Sequence, residues 1–299
     1  MNVRIGLIGS LFLGCVACVP LQQAPVYPSQ PVYSLPQAQP AVIVPQAPKY
    51  PSAPVEVALL PVWRLASSPL IEGLAGGGAE RLQVRATDGS ETVEIHAVIV
   101  DSTRCRLQVI DQPQSNAGGS IIASALRSSR AIAGVNGGFF TPEFAPLGKM
   151  IAGGVNTGTV SNAKLLSGMF LVAEGQPYLI WRDEYAGDAG VTDLIQSGPR
   201  LVNGGRSMSG LERAKARPRT FIATDGGSKW VIGLVRSTSL GGLSDLLASP
   251  GIFPNLTVRR ALNLDGGNSS AIWMIPQSGR DISEPGWSTV RNFIAVSPR

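Results

Sequence analysis

The chain is short of the side chains that most hydrolases use for nucleophilic and metal chemistry. It has one histidine, His96, and three cysteines in 299 residues. A Ser-His-Asp or Cys-His mechanism would have to use His96. That residue sits in the alternating run "VEIHAVIV", where a solvated or hydrogen-bonded strand residue is expected rather than a catalytic one. Zinc sites built from several His or Cys ligands are excluded on count, no metal ligands are assigned, and no cofactor is expected. Cys15 and Cys18 fall in the N-terminal apolar run, so no disulfide framework is implied. Cys105 lies in a strand run and is expected to be a small core residue. Charge is scarce too: 15% of residues are charged, the net charge is +5, and no block of Lys or Arg stands out. That balance suits an acidic or phosphorylated ligand. Without interleaved basic and aromatic stripes it argues against a nucleic-acid partner.

What is abundant is glycine (35) and proline (23), which favours turns and short strands over long helices. The first twenty residues, "MNVRIGLIGSLFLGCVACVP", carry Arg4 and then an apolar run from Ile5 to Val19. The run is too short to span a bilayer comfortably and reads as a secretory leader. Its end, "FLGC" or "CVAC", resembles a bacterial lipoprotein processing box, so residues 1–18 are assigned as a lipoprotein-type signal peptide. Cys15, with its Leu-Gly lead-in, is preferred over Cys18 as the lipidated residue. No Asp follows either cysteine, which points to the periplasmic side of the outer membrane, with the lipid as the membrane contact. Residues 19–61 are Pro-, Gln-, Ala- and Val-rich. Repeated prolines remove donors and fix φ, so this stretch cannot join a sheet interior. A semi-extended tether reaching on the order of 100 Å is expected.

Residues 62–299 read as one β-rich α+β domain with few short helices, with no linker signal for a further division. "ETVEIHAVIVD", "RCRLQVID", "AIAGVN", "SGMFLVAE", "QPYLIW", "RTFIATD", "KWVIGLV" and "NFIAVS" have strand character. "TDGGSKW" is a hairpin turn. "SIIASALRSS" is a short helix with Ser120 as its N-cap, and "LSDLLAS" is another, stopped by Pro250-Gly251. A chain of this size buries a proper core.

Several patterns could carry chemistry. "SNAK", Ser161 to Lys164, matches S-x-x-K, but no K-T-G follows it at a suitable place. "DGGS" at Asp225 and "DGGNSS" at Asp265 loosely resemble the paired turns of aspartic proteases. The D-[ST]-G form is absent at both, however, and Asp225 lies in a hairpin. Glycine turns that bind phosphate through backbone N–H groups are the third possibility. Four segments support it: "GVNGGFFTPEFAPLG", "QSGPRLVNGG", "ARPRTFIATD" and "ALNLDGGNSS". Each begins or ends an apolar strand, where a loop's first residue is held rigidly and can carry function. Together they supply Asn136, Ser197, Arg219 and Asp265: an amide, a hydroxyl, a guanidinium and a carboxylate.

In this order the four segments resemble the phosphodiester glycosidase family. The matching stretches are Asn136 to Phe140, Gln196 to Asn203, Arg219-Thr220, the helix around Gly242 to Leu247, and Asn263 to Ser269. The similarity runs from about residue 80 to 297, and Asn268 stands where a third Gly is usual. The resemblance implies hydrolysis of a sugar-1-phosphodiester at its glycosyl C–O bond, with a phosphomonoester as leaving group. Arg219 would hold the phosphate through its planar fork. Asp265 would be nucleophile, base or electrostatic partner of an oxocarbenium-like centre. Asn136 would join them in the catalytic set. Gly137, Gly138, Ser197, Gly198, Gly266, Gly267 and Ser269 would contact the substrate. Glu143 and Asp245 are candidates for a second carboxylate. Phe139 and Phe140 are expected in the core rather than as a sugar platform. The substrate would be a phosphorylated glycan or sugar-1-phosphodiester of the envelope or an exopolysaccharide. A non-catalytic envelope module that binds phosphorylated glycan or peptidoglycan is the alternative from another class.

Overall fold

Along the strand Thr92–Asp101, Val93, Ile95, Ala97 and Ile99 enter one core while Val98 and Val100 enter another. A period of two with apolar residues on both sides makes a strand that must be covered on both faces. The neighbouring strands repeat the pattern. Val231 and Val235 of Lys229–Thr238 join the core of Val93 and Ile95, and Trp230 and Ile232 join that of Val98 and Val100. Ile222 of Arg217–Thr224 and Leu262 of Arg260–Asn263 are divided from Phe221, Ala223 and Ala261 in the same way.

These segments form the centre of a nine-stranded sheet in the computed structural model, which describes residues 62–112 and 121–299. From one edge the sheet runs Arg64–Leu65, Ala79–Thr87, Thr92–Asp101, Lys229–Thr238, Arg217–Thr224, Arg260–Asn263, Arg200–Asn203 and Arg206–Ser207. Leu70–Gly73 also pairs with Ala79–Thr87, and the pairings are antiparallel. One face is covered by the helix Leu240–Ala248 through Leu243, Leu246 and Leu247. The other packs against two five-stranded sheets. One is ordered Ile282–Glu284, Ile272–Met274, Ala133–Asn136, Asn292–Pro298, Cys105–Asp111. The other is ordered Gln176–Trp181, Gly168–Ala173, Val191–Ser197, Met150–Ala152, Val155–Thr157. The helix Ile122–Ser128 lays Ile122, Ala123 and Leu126 over Trp273 and Phe293, on the outer side of the first of these. The fold is the expected β-rich α+β domain with two short helices. Each fully buried Leu, Ile or Phe in these layers contributes about 1.5–3 kcal/mol.

Local expectations hold with adjustments. Asp225 Oδ1 accepts the N–H groups of Gly227 and Lys229 at 2.7 and 3.2 Å, closing the hairpin between Arg217–Thr224 and Lys229–Thr238. The helix expected at "LSDLLAS" starts three residues earlier, because Ser239 Oγ caps it by accepting the Gly242 N–H at 3.0 Å. The first helix is preceded by Ile121, which makes no side-chain cap bond. Ser120, the leader, both lipidation cysteines and the tether lie outside the described residues. Cys105 is a buried free thiol, as expected.

Candidate active site

The four segments do converge: Asn136 joins three of them, and the fourth reaches the same loop through Asn263. Asn136 ends the strand Ala133–Asn136 and is fully buried. Its Nδ2 donates to the Asp265 carbonyl at 2.7 Å. Its Oδ1 accepts Thr220 Oγ1 at 2.7 Å and the Ala271 N–H at 3.0 Å. One side-chain amide therefore holds both ends of the Asp265 loop and a neighbouring strand. An amide so placed resists loss, since each orphaned buried partner costs about 1–3 kcal/mol. Two backbone bonds complete the seat, from Leu264 N–H to Thr220 O and from Asp265 N–H to Gly137 O, both 2.9 Å.

A second buried node braces the same loop from behind. Ser197 Oγ donates to the Asn263 carbonyl at 3.0 Å, and Asn263 Nδ2 donates to Gly198 O at 2.8 Å. Gly198 has no room for a side chain, since a Cβ there would lie 1.9 Å from Leu165 O. The same holds at Gly137, where it would lie 2.0 Å from Asn292 Oδ1.

These contacts correct the roles expected for five residues. Asn136, Gly137, Gly138, Ser197 and Gly198 are all buried, and their polar groups or backbone are committed to neighbours. Their contacts here hold the loop in place. Ser269 is nearly buried as well, at 8% exposure, and its hydroxyl supports the Asp265 carboxylate. What remains accessible is Asp265, Gly266, Gly267 and Arg219.

Asp265 Oδ1 accepts the Gly266 N–H at 2.9 Å, and no basic side chain among the described residues is ion-paired to it. Burial raises its pKa above the ordinary carboxylate value, against the lowering effect of the Ser269 and Gly266 hydrogen bonds. Arg219 is held by its Nε, which donates to Thr238 O at 3.2 Å, and by Nη2, which donates to Lys215 O at 3.0 Å. Its Nη1 end faces the glycine turn, where a Cβ on Gly266 would lie 3.8 Å away. The expected fork is thus narrower than free arginine offers. Nε is committed, Nη2 is shared between Lys215 O and the Glu212 carboxylate 3.7 Å away, and Nη1 is left for an anion. Burial lowers the Arg219 pKa, and nearby Glu212 works in the opposite direction.

The two candidates for a second carboxylate go elsewhere. Asp245 is buried on the helix Leu240–Ala248, where Arg213 Nη1 meets it at 2.8 Å. Glu143 is exposed on the loop after Phe140, and neither is hydrogen-bonded or ion-paired to Asp265 or Arg219. Phe140 packs edge-on to Phe144 at 4.9 Å and against the outer core, in line with a core role. Among the described residues no group of three or more His, Cys, Asp or Glu side chains is placed to hold a metal ion.

Sequence reasoning missed the charged cluster beside the turn. A cleft of about 420 Å³ is bounded by Pro218 and Gly267, the chain neighbours of Arg219 and Gly266, together with Ser270, Arg236, Glu284 and Trp287. At its wall His96 pairs with Glu284 through Nδ1, while its Nε2 lies 3.0 Å from Glu94 Oε1 without the alignment of a hydrogen bond. Arg236 Nη2 reaches Glu284 at 3.1 Å. Burial opposes the charge on His96, but the contact with Glu284 and the attraction of both Glu284 and Glu94 outweigh it and raise its pKa. Burial also opposes the charge on Glu284, and His96 and Arg236 outweigh that, lowering its pKa. The expectation of a hydrogen-bonded strand histidine is met, in a buried ion-pair cluster rather than in solvent. Its one signal in the sequence was a lone His on an otherwise apolar face.

Comparison with known proteins agrees with this geometry. The catalytic domain of zebrafish N-acetylglucosamine-1-phosphodiester α-N-acetylglucosaminidase, in a form auto-inhibited by its pro-peptide, superposes with a TM-score of 0.55 at 16% identity. The match covers 79% of this chain and 88% of that one. A hypothetical protein from Synechocystis superposes with a TM-score of 0.52 at 14% identity, over 78% of this chain and 65% of that one. At such identities the likeness is one of fold. No sequence among curated proteins matches the chain. The phosphodiester glycosidase profile matches residues 129–297, a span that holds Asn136, Ser197, Arg219 and Asp265 and exceeds half the chain. The chain belongs to the phosphodiester glycosidase family.

Proposed function

We propose that this protein hydrolyses the glycosyl bond of a sugar-1-phosphodiester. The observation that carries this reading is the turn Asp265-Gly266-Gly267, which carries a carboxylate without an ion pair and meets Arg219 Nη1 at Gly266, 3.8 Å from where a Cβ would stand. The C1–O bond breaks and its electron pair leaves on the phosphate oxygen. Water supplies hydroxide to C1 and a proton to the released phosphomonoester. A phosphomonoester is a good leaving group, so the demand for a strong general acid is small. The demand falls on the two charges that develop. Arg219 Nη1 takes the growing phosphate charge, and Asp265 faces the positive sugar carbon. A carboxylate in a partly desolvated setting interacts with that centre far more strongly than one in water. Gly266 and Gly267 leave the approach open, and the buried Asn136 and Ser197 keep both groups in register.

The test is to incubate the purified protein with α-linked sugar-1-phosphodiesters. Release of free reducing sugar with phosphomonoester is expected. Release of alcohol with sugar 1-phosphate would mean that the P–O bond is cut, and binding without turnover would assign the protein to the ligand-binding class instead.

The substrate class follows from location. The leader over residues 1–18 and the tether over 19–61 motivate an outer-membrane lipoprotein with its head on the periplasmic side, acting on envelope phosphoglycans or exopolysaccharide. Wild-type protein is then expected in the membrane fraction, and the Cys15→Ser/Cys18→Ser double variant in the soluble fraction. A mature wild-type chain without lipid by mass spectrometry would overturn the anchor.

A further inference from the structure

Trp287 is 92% exposed, although its backbone is fixed. Its N–H donates to Asn268 O at 2.7 Å, and a Cβ on the preceding Gly286 would lie 2.7 Å from the same oxygen. The indole is therefore presented to solvent by a loop locked directly onto the Asp265 turn. An indole so presented offers a flat apolar face and an N–H donor to whatever docks there.

Two clefts border Trp287, and their chemistry distinguishes them. The smaller, about 180 Å³, is walled mainly by apolar groups such as Ile121, Ile122 and Phe293. The larger is lined by Arg236, Glu284, Ser270 and Ser283 as well as Trp287. Ser270 supplies an independent sign of a ligand: it is 7% exposed, and its Oγ has no hydrogen-bond partner. Buried hydroxyls are almost always satisfied, so an unpaired one on a residue that lines a cleft is an exception that a ligand there would resolve. Glu284 is ionised and accepts only, while Arg236 donates and its side chain is 57% exposed. Each is anchored by the other, and Glu284 also by His96, so neither has to be ordered when a ligand arrives. One flat apolar face in the same cleft as a planar donor and a planar acceptor matches a pyranose ring, whose C–H face is apolar and whose hydroxyls both donate and accept.

We propose that the cleft between Gly267 and Trp287 is a sugar-ring subsite. A hexose or N-acetylhexosamine stacks on the Trp287 indole and hydrogen-bonds through its hydroxyls to Glu284, Arg236 and Ser270. The subsite rests on reading the Asp265 turn as a sugar-phosphodiester site. It places the sugar ring on the far side of Gly267 from Arg219, with C1 toward Asp265.

Fluorescence tests this without reference to turnover. Trp63, Trp181, Trp230 and Trp273 are buried at 1%, 3%, 2% and 0% exposure, so acrylamide acts on Trp287. Methyl α-D-glucopyranoside, α-D-glucose 1-phosphate and N-acetyl-α-D-glucosamine 1-phosphate are titrated in turn into full-length protein, with inorganic phosphate as the control. At least one sugar should protect the indole from quenching, and phosphate alone should not. Trp287→Ala should raise KM for a hydrolysed phosphodiester about tenfold with kcat little changed, and Trp287→Tyr should restore most of the affinity. Equal protection by phosphate, or protection by anionic phospholipid vesicles and by no sugar, would overturn the subsite. Hydrolysis with an unchanged KM in Trp287→Ala would also overturn it and leave the proposed function standing. Sugar protection in a protein that hydrolyses no phosphodiester would remove that function and keep the subsite.

Discussion

Asp265→Asn is expected to lower turnover by roughly three orders of magnitude while KM moves only a few-fold. Asn keeps the size of Asp and can still accept the Gly266 N–H, so the turn survives. What it loses is the negative charge, which matters mainly once positive charge has developed at C1. The pH profile should change with it. Burial raises the Asp265 pKa, so the wild-type rate falls as pH drops through that raised value, and this acid limb should be missing from the variant's residual rate. Stability should move the other way. A carboxylate whose pKa is higher folded than unfolded binds its proton more tightly in the native state. Its ionisation therefore costs stability as pH rises from the unfolded value, about 3.9, through the folded one. Asp265→Asn should match or exceed the wild-type Tm at neutral pH, with the difference vanishing in acid. A lowered Tm with turnover per folded molecule preserved would make Asp265 a turn residue only.

Arg219→Lys is expected to cost about a hundredfold in kcat/KM, shared between weaker binding and slower turnover. Lysine keeps a charge but has no Nε to hold Thr238 O and no second nitrogen to reach Lys215 O while facing the turn. The side chain is only 12% exposed, so the replacement would also bury a strongly hydrated ammonium. Inhibition by inorganic phosphate separates the two contributions: its inhibition constant should rise with the binding part alone. An unchanged kcat/KM would remove Arg219 from the site.

Much of the sheet was legible because "VEIHAVIV" and "KWVIGLV" carry enough residues for a period of two to declare itself. The strand Ala79–Thr87 carries the same signal in Leu82, Val84 and Ala86, but Gln83 and Arg85 between them, with Arg81 before, disguise it as surface. Ile272–Met274 and Met150–Ala152 are three residues long and hold no period at all. The site divides in a similar way. Glycine turns at strand ends showed where the segments would gather, but not which polar groups would face inward. Asn136 turned in because two backbone groups and a hydroxyl needed its amide, a need that exists only after assembly. Glu284, Arg236 and Trp287 left no motif, since their juxtaposition depends on how two sheets are stacked.

The Asn136 node also bears on how the protein comes into being. Its three partners lie 84, 129 and 135 residues further along the chain. Closing such long loops is entropically unfavourable until the surrounding strands have paired, so the node belongs to the late, non-local part of folding. A chain truncated before Ala271 has every residue of the Asp265 turn and nothing to hold its far end. Catalytic competence should therefore arrive in one step with the complete fold, and the Ala271 amide should exchange its hydrogen only when the whole domain opens.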